Sequence, residues 1–202
     1  MIKLYDFPPS PRVRKVRIVL AEKGLKYEKV NIDITKSEHK TPEYFAINPY
    51  GKIPALQDNE TTVYESTLIM QYLDDAYPDP ALLPADSGQR ARTRVLMNYA
   101  DNPYESAVAT LAGELLLKPM QGSTADQKVV KTAAADLNTC FDHIANELGN
   151  SDYLLGSAFT MADIPYVSWA ILFPMLKVEV PHAKIEAWLS RLKERPSVQA
   201  AG

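Results

Sequence analysis

Residues 2–5 form a short apolar run that stops at Asp6-Phe7-Pro8-Pro9, the pattern of a buried strand delivered into a loop. Ser10-Pro11 reads as a helix start, because a serine hydroxyl can cap free N–H groups and a first-turn proline forgoes no hydrogen bond. Val13, Val16, Val19 and Leu20 then recur at helical spacing, with Arg12, Arg14, Lys15 and Glu22 expected to face elsewhere and Gly24 to end the helix. Residues 27–34 alternate apolar and charged side chains, which predicts a strand with one wet face. Residues 35–45 are polar and then weakly helical, and they carry His39 and Lys40. Strands are expected around 55–57 and 62–64, separated by a turn and followed by an amphipathic helix from Ser66 to about residue 77. The order predicts a small mixed sheet with a right-handed crossover.

Pro78, Pro80 and Pro84 crowd one short stretch, too many for an element interior, so residues 78–87 are expected to link a domain over 1–77 to another over 88–202. Beyond the linker the pattern turns helical. Residues 90–118, 125–148, 161–173 and 184–193 each repeat apolar positions every three or four residues, without strand-like alternation. Thr160 and Asp163 form an acidic version of a capping box, with Phe159 and Ile164 as its staple; this motif is assigned to folding.

Composition narrows the function. Apolar residues make up 46% and charged residues 23% of 202, and the net charge of -3 argues against a broad nucleic-acid-binding face. A local basic patch is expected from Arg12, Arg14, Lys15 and Arg17. The single cysteine, Cys140, has no disulfide partner and no metal-ligand spacing, no signal-peptide core builds up before Pro8-Pro9, and no window suits a membrane helix. A reducing cytoplasmic setting, without membrane, metal or nucleic acid, is the expectation. His143 and His182 show no acidic partner at useful spacing and are read as structural.

Four segments taken together resemble the cytosolic glutathione transferase superfamily over nearly the whole chain: Ser10-Pro11 before Lys15-Val16-Arg17, the run Asn48-Pro49-Tyr50-Gly51-Lys52-Ile53-Pro54-Ala55-Leu56, Glu65-Ser66 before Tyr72-Leu73, and residues 157–163. The resemblance implies an α/β thioredoxin-like N-terminal domain followed by an all-α C-terminal domain. It also implies glutathione as co-substrate, a small hydrophobic electrophile as second substrate, and a homodimer pairing the first domain of one chain with the second of the other.

Site residues follow from the same resemblance. Ile53-Pro54 is expected cis, leaving the backbone of Ile53 to pair with the cysteinyl part of glutathione. Glu65 and Ser66 would hold the γ-glutamyl end, the carboxylate at a helix start and the amino group at Glu65. His39, Lys40 and Lys52 are candidates for the glycyl carboxylate. Ser10 is the expected catalytic residue: a free thiol titrates near 8.5, and one hydrogen bond to the anion supplies about 1.5–3 kcal/mol toward holding it as thiolate. Tyr5 is the rival donor. The electrophile is expected against Phe7, Pro8 and Pro9, with Tyr104 and Leu111 from the long helix, and Asp101 is expected to reach a partner subunit's ligand.

A second reading is a non-enzymatic adaptor of RNA polymerase, since residues 16–24 and 72–80 resemble the stringent starvation protein A family. Against it stands Pro78-Asp79-Pro80, where that family presents Pro-His-Pro.

Overall fold

The rung Tyr5, Ala55, Tyr64 crosses three strands of the first unit and organises everything at one end of its sheet. The computed structural model describes residues 1–202. Strand β1 (Ile2–Asp6) pairs in parallel with β2 (Tyr27–Asn31) and antiparallel with β3 (Ala55–Asp58), which pairs antiparallel with β4 (Thr61–Tyr64). The order is β2-β1-β3-β4. Alternation along the strands sends the partners Leu4 and Leu56 to one face and Tyr5 and Ala55 to the other. Leu4 and Leu56 are completely buried, and Tyr5 and Ala55 cluster with Tyr44, Val30, Ile32, Ile47, Ile53 and Tyr64.

Helix α1 (Pro11–Glu22) connects β1 to β2 and packs against α3 (Ser66–Ala76) through residues such as Val16, Val19, Ile69 and Leu73, all fully buried. Between β2 and β3 lie two single 3₁₀ turns and the short α2 (Pro42–Phe45). Strand β2 stops three residues earlier than its alternation predicts. The reason is Asp33, whose carboxylate accepts from the Thr35 N–H (2.9 Å) and hydroxyl (2.5 Å) and turns the chain into the first 3₁₀ turn.

The chain forms two compact units, Met1–Leu83 with Pro196–Gly202, and Pro84–Arg195. Within the first, Lys23 pairs with Asp74 at 2.8 Å and donates to the carbonyls of Tyr77 (2.6 Å) and Pro80 (2.8 Å), while Asp74 accepts from the N–H groups of Leu82 and Leu83. The proline-rich stretch is thereby tied down rather than left as a loose connection. The final helix, α11 (Pro196–Ala200), packs on α1.

In the second unit one long rod runs as α4 (Ser87–Tyr99), α5 (Glu105–Ala112) and α6 (Lys118–Met120), joined by π turns at Ala100–Tyr104 and Gly113–Leu117. Pro103, inside the first π turn, has no N–H to donate, and the ladder widens around it. The rod packs along α7 (Gln127–Leu148), whose free N–H groups at Lys128 and Val129 bond to the Asp126 side chain. The predicted helix over 161–173 is broken: a turn precedes α8 (Ile164–Ala170), and α9 (Phe173–Leu176) follows separately before α10 (Ala183–Lys193). Asp163 is fully buried and accepts from the N–H groups of Thr160 and Leu154 and from Trp188 Nε1, so the capping motif anchors two segments beyond its own turn. No helix is long and apolar enough to cross a membrane.

Two expectations need correcting here. Arg14, Lys15 and Arg17 are 6%, 1% and 3% exposed, so the four basic residues of α1 form no surface patch. His182 Nε2 lies 2.7 Å from Asp142 and His143 Nε2 3.7 Å from Glu147, so both histidines do have acidic partners. The His143–Glu147 pair was visible as an i, i+4 spacing; the other joins residues 40 positions apart.

Candidate functional site

From the rung Tyr5, Ala55, Tyr64 the chain leaves β1 through Asp6 toward Ser10, arrives at β3 from Ile53-Pro54, and leaves β4 into Glu65-Ser66. Three of the predicted site segments therefore meet at one end of one sheet, because β1 and β4 end where β3 begins.

The Ile53-Pro54 bond is cis, and neither backbone polar group of Ile53 pairs within the chain. Its approach is rigid. Asn48, 1% exposed, donates to the Lys52 carbonyl at 2.6 Å and accepts from Tyr50 N–H at 3.0 Å, and the Tyr44 hydroxyl donates to the same Lys52 carbonyl at 2.7 Å. Burial raises the Tyr44 phenol well above its ordinary value, with the Tyr5 ring environment adding to it, so that hydroxyl stays a donor. Gly51 sits at φ +55°, where a Cβ would come within 2.7 Å of Phe45 and 3.0 Å of the His39 carbonyl. Lys40 Nζ donates to the Gly51 carbonyl at 2.9 Å, which brings His39 and Lys40 beside Lys52. The His39 Nδ1 is buried without a hydrogen-bond partner, and burial followed by the neighbouring Lys40 charge lowers the imidazole pKa. Lys52 is exposed.

Glu65 adopts φ 70°, ψ 113°, a conformation that costs a non-glycine residue about 1–3 kcal/mol and is sustained by its surroundings. It is Glu65, rather than Ser66, that occupies the capping position of α3; Ser66 is the first helical residue, 7% exposed, and its hydroxyl has no partner in the chain. The exposed Glu65 carboxylate and the unpartnered Ser66 hydroxyl at this helix start form adjoining sites for a cation and an anion.

Ser10 caps α1: its Oγ accepts from Val13 N–H at 3.4 Å, and its own N–H donates to the Phe7 carbonyl at 2.9 Å. Accepting that bond leaves the hydroxyl proton available to an anion outside the helix. Tyr5 stands differently. Its ring is buried edge-on against Tyr44 at 5.9 Å, and its hydroxyl donates to Gln57 at 3.3 Å. Tyr104 and Leu111, expected against the electrophile, are 1% and 2% exposed in the helical core, where the Tyr104 hydroxyl donates to the Tyr166 carbonyl at 3.0 Å. That expectation is corrected for Tyr104; Leu111 borders a groove of the helical unit with Leu115, Leu137 and Leu176. Asp101 is half-buried on the first π turn. Asn48 lay in the motif run, yet its clamping role has no signature in spacing alone.

An open backbone edge, a strained turn opening a helix and a capping hydroxyl thus lie together on a thioredoxin-like sheet followed by a helical unit, the arrangement expected of the resembled family. The comparisons agree. The family model for the glutathione S-transferase N-terminal domain matches residues 1–75, and that for the C-terminal domain matches residues 104–196. Glutathione S-transferase 3 of Zea mays is 34% identical over 206 residues, covering 98% of this chain and 91% of that protein. Glutathione S-transferase F7 of Arabidopsis thaliana is 33% identical, covering 98% and 97%. Among solved structures, glutathione transferase F2 of Populus trichocarpa superposes with a TM-score of 0.91 at 26% identity, covering 100% and 97%. Maize glutathione S-transferase I in complex with an atrazine glutathione conjugate gives 0.89 at 33% identity, covering 99% and 95%. The chain belongs to the glutathione S-transferase family. These relatives favour the transferase over the polymerase adaptor.

Proposed function

We propose that this transferase activates glutathione through Ser10, whose hydroxyl donates to the sulfur and holds it as thiolate. The thiol proton passes to solvent, the sulfur attacks the electrophilic carbon of a small hydrophobic substrate, and the leaving group departs with its electron pair. The observation that carries this reading is the Ser10 hydroxyl, which accepts its cap bond from Val13 and keeps its proton for a ligand at the sheet end where Ile53 is open. In this reading Ile53 pairs with the cysteinyl backbone, Glu65 and Ser66 hold the γ-glutamyl end, and His39, Lys40 and Lys52 surround the glycyl carboxylate. The engagement of Tyr5 with Gln57 supports assigning it to packing.

The test is the thiolate absorbance of bound glutathione, followed against pH. Ser10→Ala is expected to raise the thiol pKa by about 1–2 units and to lower kcat/KM at neutral pH about 10- to 100-fold, the loss of one hydrogen bond to a charge. Tyr5→Phe is expected to shift it little. The reverse order overturns the assignment.

We also propose a cytoplasmic homodimer. Support comes from Tyr50, 58% exposed at the tip of the rigid Asn48–Lys52 turn, and from a groove of about 600 Å³ between the rod and α7 lined by Tyr99, Pro103, Ala107 and Ala133. A monomer by light scattering at micromolar concentration would remove the dimer from the proposal.

A further inference from the structure

Arg17 lies seven residues beyond Ser10 on α1, two turns along the same side of the helix, and its side chain is 3% exposed. Its guanidinium makes a paired contact with Asp6, Nε to Oδ2 at 3.0 Å and Nη2 to Oδ1 at 2.5 Å. Nη2 also donates to the carbonyls of Phe7 (3.2 Å) and Pro8 (3.1 Å), and Nη1 to the carbonyl of Ala201 (3.0 Å). The segment from Asp6 to Ser10 contains two prolines, so it has few N–H groups with which to fasten itself. It is held by its acceptors instead. Arg17 takes the carbonyls of Phe7 and Pro8 and the carboxylate at the strand end, while Ser10 N–H closes on Phe7 from the other side. The loop that aims Ser10 is thus a ring closed by one side chain of the helix that Ser10 caps.

We infer that Arg17 is a positioning residue of the thiolate site, fixing the Ser10 hydroxyl relative to the sheet end through Asp6, Phe7 and Pro8. The inference rests on the reading of Ser10 given above. A planar fork with donors in fixed directions can hold a carboxylate and two carbonyls at once, whereas a lysine presents a single charged point on a flexible stem. Displacement of a reacting group by about 1 Å is enough to cost on the order of 100-fold in rate.

The experiment uses the full chain as Arg17→Lys, with Ser10→Ala beside it. Three quantities are measured: thiolate absorbance of bound glutathione against pH, affinity for S-methylglutathione, which has no thiol to titrate, and the thermal transition. Arg17→Lys is expected to raise the thiol pKa by about 0.5–1 unit and to lower kcat/KM at neutral pH about 3- to 10-fold, with S-methylglutathione affinity within about threefold of the parent. A folded Arg17→Lys protein with the parental thiol pKa overturns the inference, as does a loss confined to S-methylglutathione affinity. If Ser10→Ala raises the thiol pKa while Arg17→Lys does not, only the role of Arg17 falls; if Ser10→Ala leaves it unchanged, the Ser10 reading and this one fall together. Should Arg17→Lys not fold, Asp6→Asn keeps the guanidinium and one acceptor oxygen, its amide carbonyl, while turning the other acceptor into a donor, and reads out the same shift.

Discussion

Asn48 and Tyr44 donate to the same acceptor, the Lys52 carbonyl, at 2.6 and 2.7 Å. Two donors on one oxygen hold the peptide that precedes Ile53, so the open backbone of Ile53 is presented in a fixed direction. Asn48→Ala strips one donor and orphans the Tyr50 N–H, and is expected to cost about 1–3 kcal/mol in denaturant unfolding and to raise the KM for glutathione. Tyr44→Phe alone leaves Asn48 in place. The double variant removes both donors, so its cost is expected to exceed the sum of the single ones by about 1 kcal/mol in a double-mutant cycle; simple additivity would show that the two bonds do not share their work.

Gly51 belongs to the same turn. At φ +55° an alanine is strained whatever the space, and here its Cβ would also meet the Phe45 ring at 2.7 Å. Gly51→Ala is expected to destabilise by about 1–3 kcal/mol and to weaken glutathione binding, since the Gly51 carbonyl holds Lys40. Unchanged binding by calorimetry in a folded Gly51→Ala protein would remove Lys40 from the glycyl subsite.

His39 predicts a pH dependence. In the free protein burial, then Lys40, lowers its pKa below the usual 6.5, so it is neutral at pH 7. A carboxylate placed beside it favours the charged form and raises that pKa, so binding takes up a proton and tightens as pH falls. S-methylglutathione is expected to bind about 3- to 10-fold more tightly at pH 5.5 than at 7.5, and His39→Gln to flatten the profile. A flat profile in the parent would place the glycyl carboxylate elsewhere.

The sequence carried the order of the elements because each depends on local pattern: a short apolar run for β1, alternation for β2, three-and-four spacing for α1, α3, α7 and α10, and Ser10-Pro11 for a helix start. It carried Ile53-Pro54 and Glu65-Ser66 only through resemblance, since a backbone edge and a strained φ leave no periodic trace. What was illegible is tertiary. Arg17 looks like surface charge until Asp6 and three carbonyls are seen around it, and Tyr104 looks like a lining until its bond to the Tyr166 carbonyl is seen. The shared side of the helix that carries Ser10 and Arg17 was readable from spacing; the loop between β1 and α1 folding back onto it was not.

Asp163 separates stability from chemistry. Four donors converge on its carboxylate: the N–H groups of Leu154 and Thr160, the Thr160 hydroxyl and Trp188 Nε1. Burial nevertheless outweighs them and raises its pKa above 3.8. The folded state therefore keeps a proton that the unfolded chain releases. The stabilisation from this group is fully present below pH 3.8 and is lost as pH rises through the folded value. Asp163→Asn turns one acceptor into a donor facing Thr160 N–H and is expected to cost about 1–3 kcal/mol at neutral pH. Because the variant lacks the titrating group, the gap between parent and variant is expected to widen as pH is lowered from 7 toward 4, and activity per folded molecule to match the parent well below the transition. A gap that narrows on acidification would mean that the four hydrogen bonds prevail over burial and hold the carboxylate ionised.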